Sequence, residues 1–379
     1  MLGPDGRIYL SPPDSVQSDI DAVGDAMRSG WLAPVGPDLL DFEKEMASYL
    51  GVGHAVGMSS GTAGLHLALK YLGVVPGDAV LVPTLTFAAT AFAVTYIGAV
   101  PVFIDSEPFS WNMDPELLAR AARETRDSGR RVAAIVPVDL YGSTANYDAL
   151  LPWAEGQGIP VLEDAAEAVG SRHNESRAGS FGRAGVLSFN GNKIMTTSGG
   201  GMLVTDDAEM ASKVRFWSTQ SREPFPWYEH DEIGYNYRLS NILAALGRSQ
   251  LARIEDTVRQ RRKIREWYRG RLGGFDGVTV QNDPPWGTSN AWLTVVLFDA
   301  RRYPDGAKIV REALEAVEIE SRPIWKPMHL QPVFSASPRH LTGVSETLFR
   351  DGLCLPSGTA MDEGHIDRVC SVIIGILRR

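Results

Sequence analysis

Three short segments carry residue types that can do chemistry together. The first, Met58-Ser59-Ser60-Gly61-Thr62-Ala63-Gly64, lies between an apolar run and a helical pattern. Small residues let a backbone approach an anion, a helix start presents free N–H groups, and the Ser60 and Thr62 hydroxyls can donate as well. The same residues also read as a plain Ser/Thr helix cap at a tight turn. The second, Val161-Leu162-Glu163-Asp164-Ala165-Ala166-Glu167, ends an apolar run in adjacent carboxylates followed by two alanines. A carboxylate there can ligate a metal, act as a general base, or partner a protonated ring nitrogen, and the alanines leave room for something flat. Acidic residues favoured at a helix start are the alternative reading. The third is Ser188-Phe189-Asn190-Gly191-Asn192-Lys193, with Thr196-Thr197-Ser198 and Gly199-Gly200-Gly201 behind it.

Lys193 stands apart from the other lysines. The chain has seven, and Lys44, Lys70, Lys213, Lys263 and Lys308 fall in amphipathic, mostly charge-rich helical segments where a solvated ammonium is expected. From Val186 to Val204, by contrast, Lys193 is the sole ionisable group. An isolated lysine among small uncharged residues can bind an anion, or lose a proton and act as a nucleophile. A phosphate cradle, a carboxylate after a strand and an isolated lysine, in this order, fit pyridoxal 5′-phosphate. The Gly61/Thr62 turn takes the phosphate, Asp164 keeps the pyridine nitrogen protonated, and Lys193 forms the Schiff base.

Such a site needs a scaffold that brings three loops to one edge. Short apolar runs alternate with helical segments from about 55 to 205: His54–Met58, Val80–Pro83, Val100–Ile104, Val132–Val138, Pro160–Glu163, Val186–Phe189 and Gly201–Val204. Runs without polar alternation predict strands covered on both faces in a mostly parallel α/β sheet, whose ligands bind beyond the strands' carboxyl ends. Helices are predicted over Thr62–Leu72, Pro115–Arg126 and Asp206–Phe216, with Asp114-Pro115 and Asp206 as starts. Ala79 to Ile104 carries no charge and is long enough to span a bilayer. Pro83, Gly98 and Pro101 interrupt it and Asp78 and Asp105 flank it, so it reads as strand 79–83, buried helix 86–97 and strand 100–104 rather than a membrane span. From Ser240 a long charged helix runs to about Arg269, followed by a strand near Ala291–Phe298 and helices near Ala307–Val317 and Glu363–Leu377. The predicted organisation is a large α/β domain with an N-terminal arm over 1–250, joined by the long helix to a smaller α+β domain over 251–379.

Composition narrows the function. The 379 residues hold 37 basic and 46 acidic side chains, net −9, with 44% hydrophobic and 22% charged residues, which describes a folded water-soluble chain. That charge excludes a general nucleic-acid binder, and the Arg259–Arg265 cluster reads as a solvated helix face. Cys354 and Cys370 are too few for a disulfide framework or an iron–sulfur cluster and fit a reducing, cytoplasmic setting. The seven histidines show no metal-ligand spacing, so no metal is expected. The N-terminus, Met1 to Leu10, lacks the apolar run of a secretory signal.

These residues resemble the DegT/DnrJ/EryC1/StrS family of nucleotide-sugar aminotransferases, within the fold-type-I pyridoxal phosphate enzymes. The resemblance rests on Ser59-Ser60-Gly61-Thr62-Ala63 with Leu65 and Leu67, Pro83 to Phe87, Asp139-Leu140-Tyr141-Gly142, Glu163 to Glu167, Ser188 to Lys193, and Gly234-Tyr235-Asn236-Tyr237-Arg238-Leu239-Ser240. It implies that Phe87 stacks on the pyridine ring and that Ser188 binds the phosphate beside Ser60, Gly61 and Thr62. Glu167, where many relatives have Gln, would lie near the ring hydroxyl. Asn236 would reach the phosphate of a neighbouring subunit, which implies a homodimer with composite sites. Asn190-Gly191-Asn192-Lys193-Ile194 together with Arg322 to Pro332 is similar to enzymes that aminate C4 of UDP-4-keto-6-deoxy-N-acetylglucosamine with glutamate as donor. GDP-perosamine synthases share much of the pattern. Arg322, Lys326 and His329 stand together in an otherwise apolar stretch and suit an anionic nucleotide diphosphate; a proline-stiffened loop with one structural cation is the alternative. Two other classes of function remain to be weighed. A catalytically silent sensor would have no need of the Lys193/Asp164 pair, and a cofactor-free lysine aldolase would leave the Ser60-Gly61-Thr62 turn without purpose.

Overall fold

The seven apolar runs become seven strands in the computed structural model, which describes residues 6–378. They are β1 (His54–Met58), β2 (Ala79–Pro83), β3 (Val100–Ile104), β4 (Val132–Ile135), β5 (Leu162–Asp164), β6 (Ala184–Ser188) and β7 (Gly201–Thr205). Hydrogen bonding orders them β1-β7-β6-β5 and β4-β2-β3. Parallel bridges Ile135–Val161 and Val138–Asp164 close the gap between β4 and β5. Every pairing between these strands is parallel except those of β7, which runs antiparallel to both β1 and β6. The segment carrying Lys193 is therefore the loop of a wide hairpin, and Gly201 pairs directly with Ser188.

Alternation along the strands explains why both faces are apolar. On β2, Val80 and Val82 pack with α3 (Gly61–Tyr71), α4 (Ala88–Tyr96) and α7 (Ala208–Ser218) through Leu65, Leu67, Leu69, Val94, Met210 and Val214. Ala79 and Leu81 pack on the other face with α5 (Pro115–Asp127) and α6 (Tyr147–Gly156) through Leu117, Leu118, Ala121, Leu150 and Ala154. Successive side chains of a strand point to opposite faces, so a strand covered twice must be apolar throughout. The uncharged stretch 79–104 is β2, α4 and β3, and no helix among the described residues is long and apolar enough to cross a membrane. Two helices precede the sheet, α1 (Gln17–Ser29) and α2 (Pro37–Leu50).

The second half builds an antiparallel sheet from β8 (Val278–Val280), β9 (Thr294–Phe298), β10 (Arg322–Pro323) and β12 (Gly352–Leu355). Between the last two lies β11 (Arg339–His340), which instead extends the first sheet by pairing parallel with β3. Helices α9 (Ile254–Leu272), α10 (Gly306–Glu315) and α12 (Glu363–Leu377) pack on the antiparallel sheet around Ile264, Tyr268, Val296, Phe298, Val310, Leu314, Leu355, Ile366 and Ile373, while α8 (Asn241–Ala252) packs against α1 and α2 and α11 (Val344–Asp351) leads into β12.

Two expectations need correction. The helix predicted from 240 to about 269 is two helices, broken at Arg253, whose φ is −116° and ψ 13°. The cause is remote in sequence. Arg253 donates to the Asp14 carboxylate and carbonyl and to Asp19, and Gln250 donates to Asp14 and Asp19 too. Helix α7 is capped by Asp207, whose carboxylate accepts from the Met210 N–H at 3.0 Å, while Asp206 accepts from the Gly53 N–H instead.

Candidate active site

The carboxyl ends of β1, β5 and β6 and the start of β7 share one edge, and there the three chemical segments meet. Ser59, Ser60, Gly61, Thr62, Phe87, Asp164, Glu167, Ser188 and Lys193 all line a single cavity of about 260 Å³, floored by Thr86, Thr90, Trp292 and Trp325. At one end Ser60 caps α3, its Oγ accepting from the Ala63 N–H at 3.1 Å. The cap reading of Ser60 therefore holds, and it coexists with an anion cradle because the first N–H groups of any helix lack intrahelical acceptors. The antiparallel β7 brings Gly201 against this turn. A Cβ there would lie 2.4 Å from the Gly61 nitrogen and 2.5 Å from the Ser60 carbonyl carbon. Gly201→Ala should thus push the turn out of place and weaken cofactor binding roughly tenfold or more. Titrating cofactor back into the stripped variant and following absorbance measures this, and unchanged affinity would remove the turn from the anion site.

Strand alternation decides between the two carboxylates. Glu163 points away from the cavity, accepting from the Gly179 and Phe181 N–H groups at 2.5 and 2.7 Å. Its neighbour Asp164 points in, 4% exposed, with Oδ2 accepting from the Thr90 hydroxyl at 2.7 Å and Oδ1 from the Ala166 N–H at 3.2 Å. Burial pushes its carboxyl up to about 6, against the pull of those two donors. A buried carboxylate with neutral donors alone is a site waiting for a cation. A protonated heterocyclic nitrogen supplies one.

Lys193 is held between a carboxylate and a ring. Its Nζ lies 3.5 Å from Glu167 Oε1 and 4.0 Å from the centre of the Trp292 ring. Glu167 is fixed in turn, its Oε2 accepting from the Tyr141 N–H at 2.7 Å and its carbonyl from Asn290 Nδ2 at 2.9 Å. Tyr141 has φ +53°, in the left-handed region, and its hydroxyl accepts from the Trp325 N–H at 2.9 Å. Phe87 stands 55% exposed at the mouth, its ring edge-on to Trp325 at 5.6 Å.

Hydroxyl and N–H donors at one end, a buried carboxylate and a primary amine around one cavity fit pyridoxal 5′-phosphate.

The sequence profile of the DegT/DnrJ/EryC1/StrS aminotransferase family matches residues 13–374. The chain belongs to that family. It is 45% identical over 372 residues to EpsN of Bacillus subtilis, named as a pyridoxal phosphate-dependent aminotransferase, covering 97% of this chain and 95% of EpsN. It is 36% identical to the GDP-perosamine synthase of Caulobacter vibrioides, covering 98% of each chain. Among solved structures, a DegT DnrJ EryC1 StrS aminotransferase from Brucella abortus superposes with a TM-score of 0.89 at 33% identity, over 96% of both chains. The fold is accordingly fold type I, and the chain is a pyridoxal phosphate-dependent aminotransferase.

The residues expected to contact substrate divide. Arg322 and Lys326 line a second cavity of about 810 Å³ that shares Asn192, Trp292 and Trp325 with the first and is also lined by Tyr9, Leu10, Ser11, Pro12 and Pro13 of the N-terminal arm. Arg322 is exposed and donates to Glu320 Oε1 at 2.8 and 3.0 Å. His329 does not join them. It is 4% exposed and lines neither cavity, with Nδ1 at 2.7 Å from Thr84 Oγ1 and Nε2 at 3.1 Å from Glu346 Oε1. Its place is that of a brace on the loop leading to Phe87, so a substrate contact by His329 is set aside. Asn236 is exposed and lies outside the cavity of its own chain, although the next residue's carbonyl accepts from the Ser59 N–H at 2.7 Å. Trp292, Trp325, Tyr141 and Asn290 were given no role from the sequence. The signal available was the density of aromatic and amide side chains in Asn290-Ala291-Trp292, which a strand reading absorbed.

Proposed function

We propose that this enzyme moves an amino group from glutamate to C4 of a nucleotide-linked 4-keto-6-deoxy sugar, with UDP-4-keto-6-deoxy-N-acetylglucosamine as the substrate. The observation that carries this reading is the second cavity. It adjoins the Lys193 cavity through Asn192, Trp292 and Trp325, exceeds what an amino acid needs, and presents the cations Arg322 and Lys326 beside the Trp325 indole. Cations suit a diphosphate and a flat aromatic suits a base or a sugar face. Bound pyridoxal phosphate supplies an electron sink for the carbanion formed when an amino-bearing carbon loses its proton. The chain's own residues do the rest. Ser60, Gly61, Thr62 and Ser188 would hold the phosphate and Asp164 would keep the ring nitrogen protonated. Phe87 would cover one ring face, and Glu167 would lie near the ring hydroxyl. Lys193 would anchor the cofactor covalently and, as a free amine, would carry the proton between carbons, which is general acid–base work. Asn236, in the same segment as the exposed Phe225, Trp227, Tyr228 and Ile233, is assigned to the neighbouring site of a homodimer.

A GDP-linked substrate is the second reading, favoured by the likeness to the Caulobacter enzyme. Incubating the enzyme with glutamate and a panel of UDP- and GDP-4-keto-6-deoxy sugars, with products scored by mass, decides between them. Amination of the GDP sugar alone overturns the UDP assignment. Lys326 is exposed and free of side-chain partners among the described residues. Lys326→Ala should raise KM for the nucleotide sugar roughly tenfold while leaving KM for glutamate within about twofold. Equal effects on both substrates would remove Lys326 from the diphosphate site.

A further inference from the structure

We propose that Trp292 is a positioning residue for the reaction: its ring face is the seat on which the Lys193 ammonium rests whenever that amine is not covalently engaged. The inference rests on the reading of Lys193 as the reactive amine.

An amine that alternates between a covalent bond and proton carriage needs a defined place to stand in between. A carboxylate alone would compete for its proton. An indole face attracts an ammonium through its quadrupole, accepts no proton, and has no strong directional demand, so the amine can leave it readily. Here Nζ lies 4.0 Å from the Trp292 ring centre, with Glu167 Oε1 at 3.5 Å beside it.

The surroundings fix that ring to an unusual degree. Trp292 is 1% exposed, and Tyr141 stacks on it with an interplanar angle of 24°. Its Nε1 donates at 2.7 Å to the carbonyl of Asn192, the residue that precedes the lysine. Its own N–H donates at 2.8 Å to Asn290 Oδ1, and its carbonyl accepts from Arg261 Nη1 at 3.2 Å. Ala291, immediately before it, has φ +53°, a left-handed conformation costly for a residue with a Cβ. Strain of that kind persists only where surrounding contacts over-determine it. Arg261, itself 1% exposed and with no carboxylate bonded to it among the described residues, also donates to Ser11 Oγ at 3.1 Å, and that hydroxyl donates at 2.8 Å to the same Asn192 carbonyl. A buried cation from α9 thus locks both the ring and the backbone on which the lysine is mounted.

The test separates ring electrons from ring shape. Site-specific incorporation of a trifluorinated tryptophan at 292 withdraws the quadrupole and preserves volume. kcat should fall roughly 3- to 30-fold, with both KM values within about twofold. The primary isotope effect with α-deuterated glutamate should rise, because proton carriage becomes slower. Trp292→Phe, which keeps a π face and loses the Nε1 bond, should lie between the wild type and Trp292→Leu. In cofactor-free protein reductively methylated with ¹³C, the Lys193 resonance, assigned by its absence in Lys193→Arg, should be shifted upfield by the ring current and lose that shift in Trp292→Leu. Full turnover and an unchanged isotope effect in the fluorinated enzyme would overturn the seat, as would a Lys193 resonance that Trp292→Leu leaves in place. Undiminished transamination by Lys193→Arg would instead overturn the reading of Lys193 itself.

Discussion

Lys193→Ala will leave a folded protein whose transamination is at least about 10⁴-fold slower, a loss of roughly 5 kcal/mol of transition-state stabilisation. Fold and function separate here because of how the side chain is held. Its contacts are a 3.5 Å approach to Glu167 and the face of Trp292, and Glu167 keeps the Tyr141 N–H when the amine is gone. Removing it orphans no backbone group but leaves buried Glu167 without a cation, so urea unfolding should become easier by only about 1–3 kcal/mol, well short of unfolding the chain. The chemistry loses both its covalent anchor and its proton carrier. Borohydride reduction of the loaded wild type, followed by peptide mapping, should place the label on Lys193 and find none in the variant. A label on another lysine, or turnover near the wild-type rate, would refute the assignment.

That residue was legible without coordinates because its isolation is a property of nearby sequence. The same holds for Asp164 and for the Ser60–Thr62 turn, each lying where an apolar run ends, since a parallel sheet delivers such ends to one edge. What was not legible depends on partners far along the chain. Helix α8 ends where it does because Arg253 bonds Asp14 and Asp19, more than 230 residues earlier. The β11 pairing with β3 joins residues 339–340 to 103–104, and no local pattern announces it. His329 shows the ambiguity in its plainest form. A polar group in an apolar stretch is required both of a ligand contact and of a buried brace, and only the positions of Thr84 and Glu346 distinguish the two. Trp292 was hidden for the opposite reason, since an indole in a strand is what a core is expected to contain.

The hairpin geometry also explains a pattern that composition alone leaves idle. Gly201, the last of the three glycines after the lysine loop, is required because β7 returns antiparallel beside β6 and must pass the cradle at contact distance. Gly200 and Gly201 both meet atoms closer than a Cβ allows, Gly200 against Thr197 and Gly201 against Gly61. The lysine's loop and the phosphate turn are consequently one rigid unit, which matters for an amine that must reach the same atom in every cycle.

Asp164→Asn is expected to act in opposite directions on rate and on the stability of the cofactor-free chain. An amide cannot hold a ring nitrogen in its protonated form, so the electron sink weakens and kcat should drop on the order of 10²–10³-fold, while the phosphate turn, built from other residues, still binds. Stability follows from the raised carboxyl. Its value of about 6 in the folded chain stands above the ordinary 3.8, so the folded state binds this proton more tightly than the unfolded one. The contribution is therefore present at low pH and is lost as pH rises through about 6; by pH 8 the ionised carboxylate costs on the order of 3 kcal/mol relative to its protonated form. The variant has no such charge to bury. Some of the gain is returned, because the asparagine can accept from either Thr90 or Ala166 but not from both. In urea unfolding of cofactor-free protein, the variant should therefore gain on the wild type between about pH 4 and pH 6, with the difference levelling off above pH 7. Asp139, also pushed up to about 6, chiefly by burial and in lesser part by the Asp164 charge, titrates in both proteins; losing that charge lowers it in the variant and adds to the variant's gain. Parallel pH profiles for the two chains would mean that Asp164 is stabilised as an anion without the cofactor, and an unchanged kcat would mean that another group holds the ring nitrogen.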